Sequence, residues 1–173
     1  MQPDYNLRIR SMAKALAETI IPAIDSNNRS ALEQAHIVLG TLELLRQQID
    51  YAHMFEQVDI RAIAALARNV AAAAGGAEEL EQAADAAIAV STRGSTLISE
   101  LKAANRELRA VLSRTIEAAY ADGDDGKIAR VQSAVIAGSK EQIGVERAFV
   151  AATNFDVFPD DLKSIEEALS PIP

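Results

Sequence analysis

The side chains best suited to chemistry are the two histidines of the chain, His36 and His53. Each follows a carboxylate by three residues, Glu33 in the first case and Asp50 in the second. Side chains three residues apart on a helix project from the same side, so a carboxylate and an imidazole at this spacing could share a metal ion. Both histidines are predicted on the second helix of the chain, where a histidine satisfied by local hydrogen bonds is the simpler alternative.

The first pair is similar to the Glu-x-x-His unit of di-iron carboxylate bundles. Such a site needs units from different helices that converge on one centre, whereas the two pairs are predicted about 25 Å apart on one helix. The sequence therefore argues against a di-iron site within one chain. A mononuclear site that uses Glu33 and His36 with a carboxylate from elsewhere stays open, but we expect no metal and no cofactor.

The residues around His36 also suggest phosphoryl transfer. The segment 35–41, with the sequence AHIVLGT, resembles the phosphoacceptor helix of histidine phosphotransfer domains. In that family an exposed histidine is followed after three residues by lysine and after four by glycine. Here Gly40 matches the glycine, Leu39 stands in place of the lysine, and Arg29 lies one heptad before His36. The resemblance implies a phosphoacceptor site made of His36, Gly40 and Arg29.

One stripe of cations falls on the fifth long helix. Lys102, Arg106 and Arg109 form a candidate anion-binding site, which could take an anionic partner or the phosphates of a cofactor such as coenzyme A. Glu100 and Glu107 reduce the positive charge of the same helix, and a solvated helix face is the alternative. No nucleophile elbow or phosphate-binding loop accompanies the stripe. The sequence therefore leans away from an enzyme.

Composition narrows the class of protein further. The 173 residues carry a formal net charge of -8, which disfavours nucleic acids and anionic membrane surfaces as partners. The chain contains no cysteine, which excludes disulfides and thiolate chemistry. No export signal and no stretch of about 20 apolar residues is visible. We therefore expect a cytoplasmic protein.

Apolar residues recur with helical periodicity almost throughout the chain. The pattern predicts an all-α fold, an antiparallel helical bundle of about five long helices plus a short C-terminal helix. It predicts one domain over residues 1–173, in which residues from about 154 form a tail. Whether residues 77–120 form one helix or two stays open. The first predicted helix runs from Tyr5 to Asp25 with a kink at Pro22, and the second runs from a capping box at Ser30–Glu33 to Phe55. A third is capped by Asp59 and ends at Gly75-Gly76, and a fourth begins at about Ala77. The remaining helices are predicted over Ser95 to Tyr120, Lys127 to Ala152 and Asp160 to Leu169.

Three local features complete the prediction. Gly138 lies on the apolar face of its helix and should allow a neighbouring helix to approach closely. Phe155 and Phe158 are expected to hold the tail against the bundle. The segment 122–126 fails three ligand positions of a calcium loop and is predicted as a turn between helices.

The second predicted helix is unusual because it carries two apolar stripes. A helix that is apolar on two faces is either central in its own bundle or packed against a second subunit. The surplus stripe is the candidate interface, made of Ile37, Leu44, Tyr51 and Phe55. The leading hypothesis is a non-catalytic protein that acts by contact, as a homodimer or as an accessory subunit of another cytoplasmic protein. A bundle that binds a small molecule in an apolar cavity is the alternative.

Overall fold

A computed structural model of the protein describes residues 4–153 and 156–170, except for the side chains of Glu141 and Ala152. Every regular element in these ranges is helical, which confirms the predicted all-α class. No helix in the described ranges is long and apolar enough to cross a membrane.

The described chain divides into two compact units. The first unit comprises residues up to 52 together with 147–162, and the second comprises residues 53–146 together with the C-terminal residues from 163. The expectation of a single domain stays a prediction, and each unit is described by itself.

The first unit is a pair of helices followed by a short returning segment. Its elements are α1 (Tyr5–Ala15), a π-helical turn (Leu16–Ile20), α2 (Ile21–Ala23), α3 (Arg29–Gln48) and two 3-10 turns (Ala151–Thr153 and Pro159–Asp161). Helix α1 packs against α3 through Ile9 and Ala13, which are buried. The predicted disturbance at Pro22 is present as the widened π-helical turn, since proline removes one amide donor and crowds the carbonyl four residues earlier.

Helix α3 begins earlier and ends earlier than predicted. Its N-cap is Asn28, whose side chain accepts a hydrogen bond from the backbone N–H of Ala31 at 3.2 Å. The predicted capping box at Ser30 is therefore wrong, because an asparagine two residues upstream already satisfies a first-turn amide. The helix ends at Gln48, and a turn over residues 49–51 separates it from the next helix.

The second unit consists of four long helices and one short helix. They are α4 (Ala52–Ala73), α5 (Glu78–Ser91), α6 (Ile98–Ala121), α7 (Asp125–Phe149) and α8 (Ile165–Leu169). The first residue of α4 and the last three residues of α7 belong to the first unit. Residues 77–120 thus form two helices, separated at residues 92–97. Helix α6 starts three residues later than predicted because buried Thr96 donates its hydroxyl hydrogen bond back to the carbonyl of Val90 at 3.0 Å.

Helices α4, α5, α6 and the first half of α7 share one core of small and branched side chains. Arg68 of α4 pairs with Asp85 of α5, while Gln57, earlier on α4, reaches the carbonyl of Ser91, later on α5. These two helices are therefore antiparallel, as predicted. The largest buried side chains of the core are Ile60, Ile63, Val70, Leu80, Leu101, Leu108 and Val131, with Ala64, Ala67, Ala71 and Ala84 between them.

Glycines set the turns and one close helix crossing. The connection between α4 and α5 contains Gly75 and Gly76, which have φ of 91° and 103°. Residues with a side chain rarely adopt these values. A Cβ on Gly138 of α7 would lie 2.7 Å from Leu66 Cδ1 on α4. The predicted close approach at Gly138 is confirmed.

The predicted turn over residues 122–126 is shorter in the structure, because residues 122–124 separate the helices and α7 already begins at Asp125. Helix α6 ends at Ala121, Gly123 adopts φ of 73°, and the Asp124 carboxylate accepts hydrogen bonds from the amides of Gly126 and Lys127. The hydrogen bond from the Lys127 amide, and then that from the Gly126 amide, lower the pKa of Asp124.

The tail departs from its prediction. Phe158 is 63% exposed, so the expected packing of this ring on the bundle is wrong, and Phe155 lies outside the described residues. An ion pair holds the segment instead, since Arg147 donates to both Asp156 carboxylate oxygens at 2.7 Å. The predicted helix over Asp160 to Leu169 is present only as a 3-10 turn and as the five-residue helix α8.

Candidate functional site

His36 lies exposed on α3, where a partner could reach its ring. Nδ1 is 2.7 Å from the carbonyl oxygen of Leu32, which can only accept a hydrogen bond. The neutral ring therefore carries its hydrogen on Nδ1 and presents an unprotonated Nε2 to solvent. Gly40, one turn later, has no atom within 4 Å of a built Cβ, so the surface beside the ring is open.

Arg29 is the first residue of α3 and is exposed, and Leu39 is half-buried. The structure thus places His36, Gly40 and Arg29 on one helix, as the resemblance to a phosphoacceptor helix requires. The positive charge closest in sequence to His36 on the N-terminal side is Arg29, a full two turns away.

His53 lies on a different helix from His36, so the prediction of both on one helix is wrong. The turn after Gln48 interrupts the helical pattern, and His53 belongs to α4 in the second unit. Its Nε2 is 3.0 Å from the carbonyl oxygen of Thr96, and this hydrogen bond links the start of α4 to the loop before α6. Within the described residues, no group of three or more potential metal-ligating side chains is found.

The candidate interface is also divided by that turn. Ile37 and Leu44 lie on α3, Tyr51 lies in the turn and Phe55 lies on α4 in the second unit. The prediction of one continuous stripe is therefore wrong. Leu44 and Tyr51 are half-buried, and the C-terminal half of α3 is in contact with the 3-10 turn Ala151–Thr153.

The open apolar surface of α3 runs beside that stripe. Ile37, Val38 and Leu45 are 53%, 50% and 43% exposed, and exposed Thr41 stands between them. Spacings of one, four and eight residues put all four on one side of a helix. We call Ile37, Val38, Thr41 and Leu45 the exposed band. Of these four residues, the predicted candidate interface contained only Ile37.

The cation stripe does not present three equivalent charges. Arg109 is bound to the carboxylate of Asp59, with its guanidinium 2.8 Å and 2.9 Å from the two oxygens. Lys102 Nζ lies 4.0 Å from a Glu56 oxygen, and Arg106 is exposed. Carboxylates of α4 thus neutralise two of the three predicted anion-binding side chains.

The Asp59 side chain was assigned wrongly from the sequence. It does not cap a helix but lies in the second turn of α4, only 6% exposed. Asn105 Nδ2 donates to it at 2.5 Å, and Asn105 Oδ1 accepts from Arg109 Nε at 3.1 Å. We call Asp59, Asn105 and Arg109 the buried triad. The sequence signal for it is Asn105, a polar residue between Leu101 and Leu108 on the apolar side of α6.

A groove of about 790 Å³ opens at one end of the second unit. Its lining combines small residues of the α4–α5 turn and α6 with charged side chains, among them Glu78, Glu79, Arg114, Asp122 and Lys127. Arg114 pairs with Glu79, and Lys127 pairs with Asp122. This charged lining differs from the apolar cavity between alanine-rich helices that the alternative hypothesis expects, and that hypothesis stays a prediction.

Compared with family models, curated proteins and solved structures, the chain gives no significant match.

Proposed function

We propose that this protein acts by protein–protein contact, as a homodimer that forms through the exposed band of α3. The observation that carries the proposal is the burial pattern of that helix. Helix α3 is 20 residues long and contains no buried residue, whereas α4, with 22 residues, contains eight. A helix of this length normally owes most of its stability to burial of an apolar face.

The first unit as a whole exposes apolar side chains that a partner could cover. On α1, Tyr5, Leu7 and Met12 are 59%, 59% and 52% exposed, in addition to the exposed band on α3. Large apolar side chains gathered on one small unit mark interaction surfaces more often than scattered ones do. The described part of this unit buries few apolar residues of its own, so contact with a partner would add stability.

A second copy of the chain can cover the exposed band without burying a charge. None of the four residues of the band is charged. Two such bands can therefore approach each other without the repulsion that two surfaces of like charge would meet.

The test is the mass of the protein in solution. We expect size-exclusion chromatography with light scattering to give twice the chain mass of 18.5 kDa. The double variant Ile37→Glu/Leu45→Glu should raise the dissociation constant at least about tenfold, since each buried Ile or Leu contributes about 1.5–3 kcal/mol. Circular dichroism of the variant should remain helical.

The matched control is Ile136→Glu, which changes a residue that is 66% exposed on α7 in the second unit. This variant should stay dimeric. A wild-type protein that is monomeric at every concentration would refute the proposal. The proposal would also be refuted if Ile136→Glu abolished the dimer and the α3 variant preserved it. A monomer would leave an accessory role with a different protein as the successor hypothesis.

The exposure and ring orientation of His36 support a second candidate, phosphoryl transfer. An unprotonated, solvent-facing Nε2 is the nucleophile that such a reaction needs. Incubation with labelled acetyl phosphate tests it, and the label should disappear in His36→Gln but persist in His53→Gln. Equal labelling of the wild type and His36→Gln would exclude this function.

A further inference from the structure

We draw no further inference here: the strongest candidate, the groove between the α4–α5 turn and the end of α6, has its two cations Arg114 and Lys127 already paired with Glu79 and Asp122, and nothing else in the described part of its lining points to a ligand.

Discussion

Single residues show most clearly what the sequence could and could not predict. A local hydrogen bond of His36 follows from the helical pattern, because the carbonyl of Leu32 lies four residues earlier, within reach of the ring. The role of Asp59 did not follow, because an aspartate before an apolar run is as typical of an N-cap as of a buried ion pair. Only the arrival of Arg109 and Asn105 from α6 distinguishes the two. A single sequence does not show which residues of different helices lie close together.

The buried triad yields a prediction about stability. Arg109→Met should reduce the free energy of unfolding by about 3 kcal/mol, because it leaves the nearly buried Asp59 carboxylate without its cation. Chemical denaturation measures the change. Arg106→Met, at an exposed position one turn earlier on α6, is the control and should have an effect below about 0.5 kcal/mol. Equal losses in the two variants would contradict the assigned role of the triad.

The Arg147–Asp156 pair predicts a dependence on pH. Hydrogen bonds from the Arg147 guanidinium, and then from the Phe158 amide, lower the pKa of Asp156 from 3.8 to about 2. A carboxyl whose pKa is depressed by folding stabilises the fold above its ordinary pKa, and that contribution is lost as the pH falls from about 4 to about 2. Asp156→Asn should therefore lower the melting temperature at pH 7.

The same substitution should make much less difference at pH 2, where about half of the wild-type carboxyl is protonated in the folded protein. Melting curves across this range measure the effect. Asp160→Asn, an exposed neighbour on the same segment, is the control. A deficit for Asp156→Asn that stays constant from pH 7 to pH 2 would show that the ion pair is not its cause.

Among the helices, the long and strongly periodic ones were predicted best. Helices α5, α6 and α7 begin within a few residues of their predicted starts. The main error was the fusion of α3 with the first turn of α4, because residues 49–51 contain no glycine or proline to mark the break. Apolar Ile49 and Tyr51 continued the periodic pattern through a turn. The candidate interface was extended to Phe55 for the same reason.

Helix packing at Gly138 provides a prediction with an internal control. Gly138→Ala should lower the free energy of unfolding by about 1–3 kcal/mol, since the new methyl group would overlap Leu66. Gly144→Ala, on the same helix but with no atom within 4 Å, should raise it by about 0.5–1 kcal/mol through helix propensity alone. Thermal and chemical denaturation compare the two variants. Stabilisation by both would mean that α4 and α7 can separate at no cost.

At the scale of the whole chain, composition and periodicity predicted the all-α class but not the division into two units. Helical periodicity indicates which face of a helix is apolar, yet it does not indicate how completely that face is covered. The eight buried residues of α4 and the absence of any in α3 look alike in the sequence. The exposed band could therefore be recognised only after burial was known.

Unequal burial predicts unequal protection from hydrogen exchange. In dilute solution the amides of α3 should exchange faster than those of α6, because few buried contacts oppose local opening of the first unit. Higher protein concentration should slow exchange in α3 and leave α6 unchanged, since dimer formation stabilises only the surface it covers. Exchange measured by mass spectrometry at two concentrations tests this. Equal slowing in both helices would contradict a contact confined to α3.

The buried triad has one more consequence, for the alignment of α4 with α6. The core between these helices alternates alanine with Ile, Leu and Val, so sliding one helix along the other by a turn of about 5.4 Å would again place apolar side chains opposite apolar side chains. Such a slip would strand the Asp59 carboxylate in an apolar environment, away from its guanidinium. The ion pair therefore fixes the register of α4 relative to α6. Exchanging all three residues for apolar ones should preserve stability while broadening the NMR spectrum of the second unit, the signature of a core that samples several alignments.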